Sequence, residues 1–99
     1  MKSILENINK VFENRVRLAL MSILMVNDEA EFSALKQMLD LTDGNLAAHI
    51  GTLERNHYVR VKKEFKGKKP STTYSATSEG KRAFVEHLDA LEKIISNVH

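Results

Sequence analysis

Apolar positions recur at the helical period along most of the chain, and at a period of two over one short stretch. Ile4, Ile8 and Val11 fall at i, i+4 and i+7, which predicts a first helix ending near Phe12. Asn14, a residue type whose side chain accepts from the first free amides of a helix, precedes Val16, Leu20, Ile23 and Leu24 on a second helical face. A polar break over residues 27–31 leads to Phe32, Leu35, Met38 and Leu39, a helix of about two turns, with Leu41 in the short turn after it. Thr42 is the next N-cap, and Leu46, Ile50 and Leu53 form one stripe of a helix ending near Asn56.

From Tyr58 the period changes. Val59, Val61, Lys63 and Phe65 lie on one face of a predicted strand, and Arg60, Lys62, Glu64 and Lys66 on the other. The Gly/Pro cluster at residues 67–70 predicts a turn, and the Thr- and Tyr-rich run from Ser71 to Thr77 the returning strand. Thr77 then caps a long last helix whose Phe84, Leu88, Leu91, Ile95 and Val98 alternate at spacings of four and three, the seam of a coiled coil. Two helices around a tight turn, the second running straight into a hairpin, are the ingredients of a winged helix-turn-helix. The prediction is an α+β, mostly helical, single domain over residues 1–99. Its helix-turn-helix covers 32–56, its two-stranded basic wing 58–77, and its terminal helices 1–12 and 78–99 serve dimerisation.

The stretch from Leu41 to Phe84 resembles the core of winged-helix transcriptional regulators related to the MarR and ArsR groups. The resemblance is carried by the Leu-Thr-Asp-Gly-Asn-Leu run at 41–46, His49 before an aliphatic residue, Leu53-Glu54, the Phe65 to Pro70 wing, and Thr77-x-Glu79-Gly80. It implies that the helix from Thr42 to Asn56 enters the major groove of duplex DNA. On the side of that helix away from Leu46, Ile50 and Leu53, the residues facing bases or phosphates are Asn45, Ala48, Thr52 and Arg55, with Thr42 at its start and His49 on its flank. The wing then lies over the phosphate backbone, with Lys66, Lys68 and Lys69 near its tip and Arg60 and Lys62 on its outward face. Transcriptional repression follows from the resemblance alone.

Charge sharpens this picture. The chain of 99 residues carries a net +2, yet residues 55–69 hold seven cations, Arg55, Arg60, Lys62, Lys63, Lys66, Lys68 and Lys69, against Glu64 alone. A local excess of six leaves a net −4 on the rest, an electrostatic footprint for a polyanion confined to 15 residues. The last helix is too long for a domain of this size to cover, so its apolar face, together with Ile4, Ile8 and Val11, is predicted to pair across a two-fold axis in a homodimer.

The composition, 42% hydrophobic and 28% charged with no Cys, is that of a globular protein without disulfides or thiolate chemistry. The longest apolar run, Leu18 to Val26, is interrupted by Ser22 and too short to span a bilayer, so a cytoplasmic location without membrane contact is expected. His87, Asp89 and His99 are the candidate metal ligands, but His87 and His99 sit about 18 Å apart along one helix, and neither metal nor cofactor is predicted. No phosphate-binding Gly-rich loop or nucleophile pattern points to an enzyme, and nothing identifies an effector. Two alternatives to a site-specific regulator stand: a winged-helix module whose basic wing binds an acidic protein surface, and a nonspecific architectural DNA binder.

Overall fold

The structure, a computed structural model, describes Ser3 and residues 5–96. Ile4 and Val98, and with them His99, lie outside the described residues. Asn9 governs the N-terminal segment more than hydrophobic periodicity does. Its side-chain oxygen accepts from the Val11 amide at 2.9 Å, its own amide donates to His87 Nδ1 at 3.1 Å, and its side-chain nitrogen donates to the Tyr58 hydroxyl at 2.9 Å. These bonds hold the segment as a turn over residues 5–7 and a 3-10 helix, Lys10–Phe12, in place of the predicted first helix. Phe12 follows as an anchor, 2% exposed, stacked on Tyr58 at 5.4 Å and edge-on to Phe84 at 5.3 Å.

Helix α1, Arg15–Val26, begins where the Asn14 side chain accepts from the amides of Val16 and Arg17 at 2.9 and 3.1 Å, and it buries Leu20, Met21 and Leu24. The polar break after it holds a strand that the sequence pattern does not show, β1, Ala30–Glu31. Helix α2, Phe32–Leu39, ends on Asp40 in the left-handed conformation with φ 52°, and the Leu41 amide closes the turn onto the Lys36 carbonyl at 3.2 Å. Helix α3, Asp43–Arg55, starts at once, because Thr42 Oγ1 accepts from the Asn45 amide at 3.1 Å. An ion pair of Lys36 with Asp43 at 2.9 Å spans this tight turn.

The end of α3 sets the direction of everything after it. His57, at φ 62°, takes the left-handed position, its amide bonds back to the Glu54 carbonyl at 2.9 Å, and the Tyr58 amide reaches Leu53 at 2.9 Å. That double closure stops the helix and turns the chain straight into strand β2, Val59–Lys66. Of the two turn residues, Gly67 and Lys68, only Gly67 has positive φ, 66°, the pattern of a type II′ hairpin leading to β3, Lys69–Ala76. Pairing is antiparallel, Val59 with Ala76 through Lys66 with Lys69, and β1 adds Ala30 against Tyr74 on the other side of β3. The two-stranded wing thus belongs to a three-stranded sheet of order β1-β3-β2, since β3 has a free edge that residues 30–31 fill.

Helix α4, Ser78–Ser96, starts at Thr77, whose hydroxyl accepts from the Gly80 amide at 2.9 Å and donates to the His57 carbonyl at 2.6 Å. It buries Gly80, Phe84, His87 and Ala90. Phe84, predicted for the dimer seam, is instead part of the chain's own core, because edge-on contact with Phe12 draws it inward. Ile8 and Val11 are half-buried, Val11 against that core, and do not form the free helical face the sequence pattern predicts. The core gathers Leu20, Met21 and Leu24 of α1, Leu35 of α2, Leu46, Ile50 and Leu53 of α3, and Val59, Tyr74 and Phe84. Among the described residues no helix is long and apolar enough to cross a membrane.

Candidate nucleic-acid interface

Burying Leu46, Ile50 and Leu53 leaves the opposite side of α3 to solvent, where Asn45, Ala48 and Arg55 are exposed and Thr52 is half-buried. These four follow one another at spacings of three, four and three, so they share a face. Thr52 Oγ1 donates to the Ala48 carbonyl at 3.3 Å and accepts from Arg55 Nη2 at 3.1 Å, which lays the guanidinium back along the helix. Thr42 is exposed but its hydroxyl is engaged as the cap. A small residue at Ala48 between polar neighbours leaves the helix backbone approachable by a groove floor, and Asn45 and Arg55 supply the hydrogen-bonding ends.

His49 sits on the flank, half-buried, with Nδ1 3.1 Å from Nη1 of Arg17 on α1. Arg17 also donates through Nε to the Val11 carbonyl at 2.7 Å. The sequence pattern does not single out Arg17, since it lies 32 positions from His49 and no local period links them.

The wing carries Arg60, Lys62, Lys66, Lys68 and Lys69 to the surface, together with Lys63, which belongs to the basic segment but was not expected among the contacts. Folding redistributes their charge. Lys62 Nζ lies 3.3 Å from Glu29 and 3.7 Å from Glu64, and Lys66 Nζ 2.8 Å from Glu31. The bond to Glu31, with the fields of Glu31, Glu64 and Glu29, holds the Lys66 ammonium above its ordinary pKa. Glu29 and Glu31 thereby reduce the local excess from six to four, and the unpaired wing cations among the described residues are Arg60, Lys63, Lys68 and Lys69. Phe65, expected on the face shared with Val59, is 74% exposed beside the tip and pairs in register with Pro70, because the hairpin projects beyond the helices that cover Val59.

The dimer candidates divide on α4. Leu88, Leu91 and Ile95 are 45%, 37% and 66% exposed, and Val85, outside the predicted seam, joins them at 46%. His87 faces inward at 3% exposure with Nδ1 taken by the Asn9 amide, so it is turned away from Asp89 on the exposed side.

Residues 16–95 match the family model described as a winged helix DNA-binding domain. The chain is 32% identical over 89 residues to an uncharacterised protein of Methanocaldococcus jannaschii, covering 90% of this chain and 97% of that one. Among solved structures, a transcriptional regulator homologue from Pyrococcus horikoshii superposes with a TM-score of 0.85 at 34% identity, covering 96% of this chain and 92% of that one. A MarR-family transcriptional regulator of Porphyromonas gingivalis shares the fold with a TM-score of 0.65 at 16% identity, over 91% of this chain and 86% of that one. With an exposed polar stripe on the second helix of a helix-turn-helix, a lysine-tipped hairpin beside it, and a family model spanning most of its length, the chain belongs to the winged helix DNA-binding domain family.

Proposed function

We propose that the protein is a transcriptional regulator that binds duplex DNA as a homodimer, represses by occupying a promoter site, and acts through binding alone. The observation that carries this reading is the exposed Asn45, Ala48, Thr52 and Arg55 face of α3, on a helix that runs straight into a hairpin whose tip carries lysines unpaired among the described residues. The helix supplies base contacts in the major groove, with Thr42 and His49 at its margins, and Arg60, Lys62, Lys66, Lys68 and Lys69 supply phosphate contacts along the wing. Dimerisation through Leu88, Leu91 and Ile95 is supported by their exposure on a helix whose last buried residue is Ala90. Two copies of α3 then meet successive major grooves of a pseudo-palindromic site. Selection from random duplexes followed by salt titration tests the reading: it predicts an enriched motif with two-fold symmetry and an affinity that falls steeply with salt. Absence of an enriched motif would leave a nonspecific binder, and absence of any duplex binding would overturn the proposal.

A further inference from the structure

Arg17, on α1, hydrogen-bonds both to the N-terminal segment and to the flank of α3. Its Nε donates to the Val11 carbonyl at 2.7 Å while Nη1 lies 3.1 Å from His49 Nδ1, so the guanidinium is held at two of its edges. A guanidinium has five donors, no acceptor, and never loses its proton in a protein. The bond at His49 therefore runs in one direction, from Arg17 to the ring, and Nδ1 accepts. With its Nδ1 lone pair engaged, the neutral imidazole carries its proton on Nε2. His49 follows Asn45 by four residues and precedes Thr52 by three, which sets it next to both at the edge of the exposed stripe of α3.

We propose that Arg17 is a positioning residue for DNA recognition. By fixing the tautomer and orientation of His49, it makes the ring present an Nε2–H donor to the N7 of a purine in the major groove. The inference rests on the DNA-binding reading above and deepens it. In that groove every purine offers N7 as an acceptor, whereas cytosine offers an N4 donor that an N–H at His49 cannot satisfy; thymine offers O4, and loss of affinity on 7-deaza substitution distinguishes N7 from it. Losing Arg17 frees the imidazole to exchange tautomers and to turn, so its preference for an acceptor goes with it, even though Arg17 itself touches no base. Anchoring to Val11 as well keeps the guanidinium from swinging out to a phosphate.

A double-mutant cycle on the selected duplex tests this. Arg17→Met and His49→Ala are each expected to lower the ratio of affinity for the selected duplex to that for random duplex by about tenfold, the worth of one lost contact. Combined, they are expected to lower it by the same total of about tenfold as either change alone, because Arg17 acts through His49. Arg17→Lys, which still donates, recovers part of the loss. Replacing each purine of the site in turn by its 7-deaza analogue weakens the wild type at a position in each half-site where Arg17→Met and His49→Ala are indifferent. Losses that multiply in the double variant, or that fall equally on both duplexes and leave the ratio intact, overturn the proposal, as does a wild type sensitive to no purine N7. Thermal unfolding of each variant shows whether it is folded; if Arg17→Met misfolds, His49→Ala and the analogue scan of the wild type decide. A wild type that binds no duplex fails the DNA-binding reading itself, before any variant is compared.

Discussion

At Gly80, α4 passes so close to the chain before β2 that a β-carbon would overlap the Tyr58 carbonyl, which also accepts from the Thr77 amide at 3.0 Å and has no room to retreat. Gly80→Ala is expected to lower the unfolding free energy by about 2 kcal/mol in urea titration, and an equally stable variant contradicts the close approach. His87 makes a second prediction at this scale. Burial among Phe12, Asn9 and α4 lowers its pKa below the ordinary 6.5, with the Glu13 carboxylate acting weakly the other way. The unfolded chain then binds a proton at His87 more readily than the native one, so the stability it contributes is complete above 6.5 and is lost as pH falls below that value. His87→Gln, which can still accept from the Asn9 amide without titrating, is expected to flatten that part of the urea midpoint's pH dependence; an unchanged slope contradicts the assignment.

Among the elements, the wing gives the sharpest expectation, because its lysines are unequal. Lys66 is paired with Glu31 at 2.8 Å while Lys68 and Lys69 have no anionic partner among the described residues, so Lys68→Gln and Lys69→Gln should each reduce the salt slope of duplex binding by about one and Lys66→Gln by less. Equal effects at all three positions would show that the ion pair opens on DNA. The same pairing marks what the sequence could show of this element. Alternation from Tyr58 to Lys66 and the lysine excess were legible because they are local, but Glu31 lies 35 positions from Lys66 and no local charge count brings it there. The caps at Asn14, Thr42 and Thr77 were legible for the same reason, and so was the buried stripe of Leu46, Ile50 and Leu53. The N-terminal helix was not: the i, i+4, i+7 spacing of Ile4, Ile8 and Val11 is outweighed by Asn9, whose partners Tyr58 and His87 are distant in sequence. Strand β1 has two residues, too few to show any period, and its pairing depends on the free edge of β3. On α3 the exposed face followed from the buried one, whereas the link from Arg17 to His49 required the packing of α1 on α3.

The described chain extends 56 × 25 × 21 Å, and no residue of α4 beyond Ala90 is buried. An apolar stripe of Leu88, Leu91 and Ile95 on such a helix is expected to pair with a second copy, as the proposed function requires. Leu91→Asp, which would place an unpaired charge in that contact, is expected to sediment as a monomer with its helical signal retained and to bind a full site at least about a hundredfold more weakly, since the second half-site no longer adds at high effective concentration. A wild type that sediments as a monomer at tens of micromolar contradicts this arrangement. The most direct measurement is a hydroxyl-radical footprint on the duplex recovered by selection. The account predicts two protected segments related by two-fold symmetry, their centres about one helical turn, or a multiple of it, apart. Uniform cleavage along the duplex, or one protected segment without a symmetric mate, would contradict it.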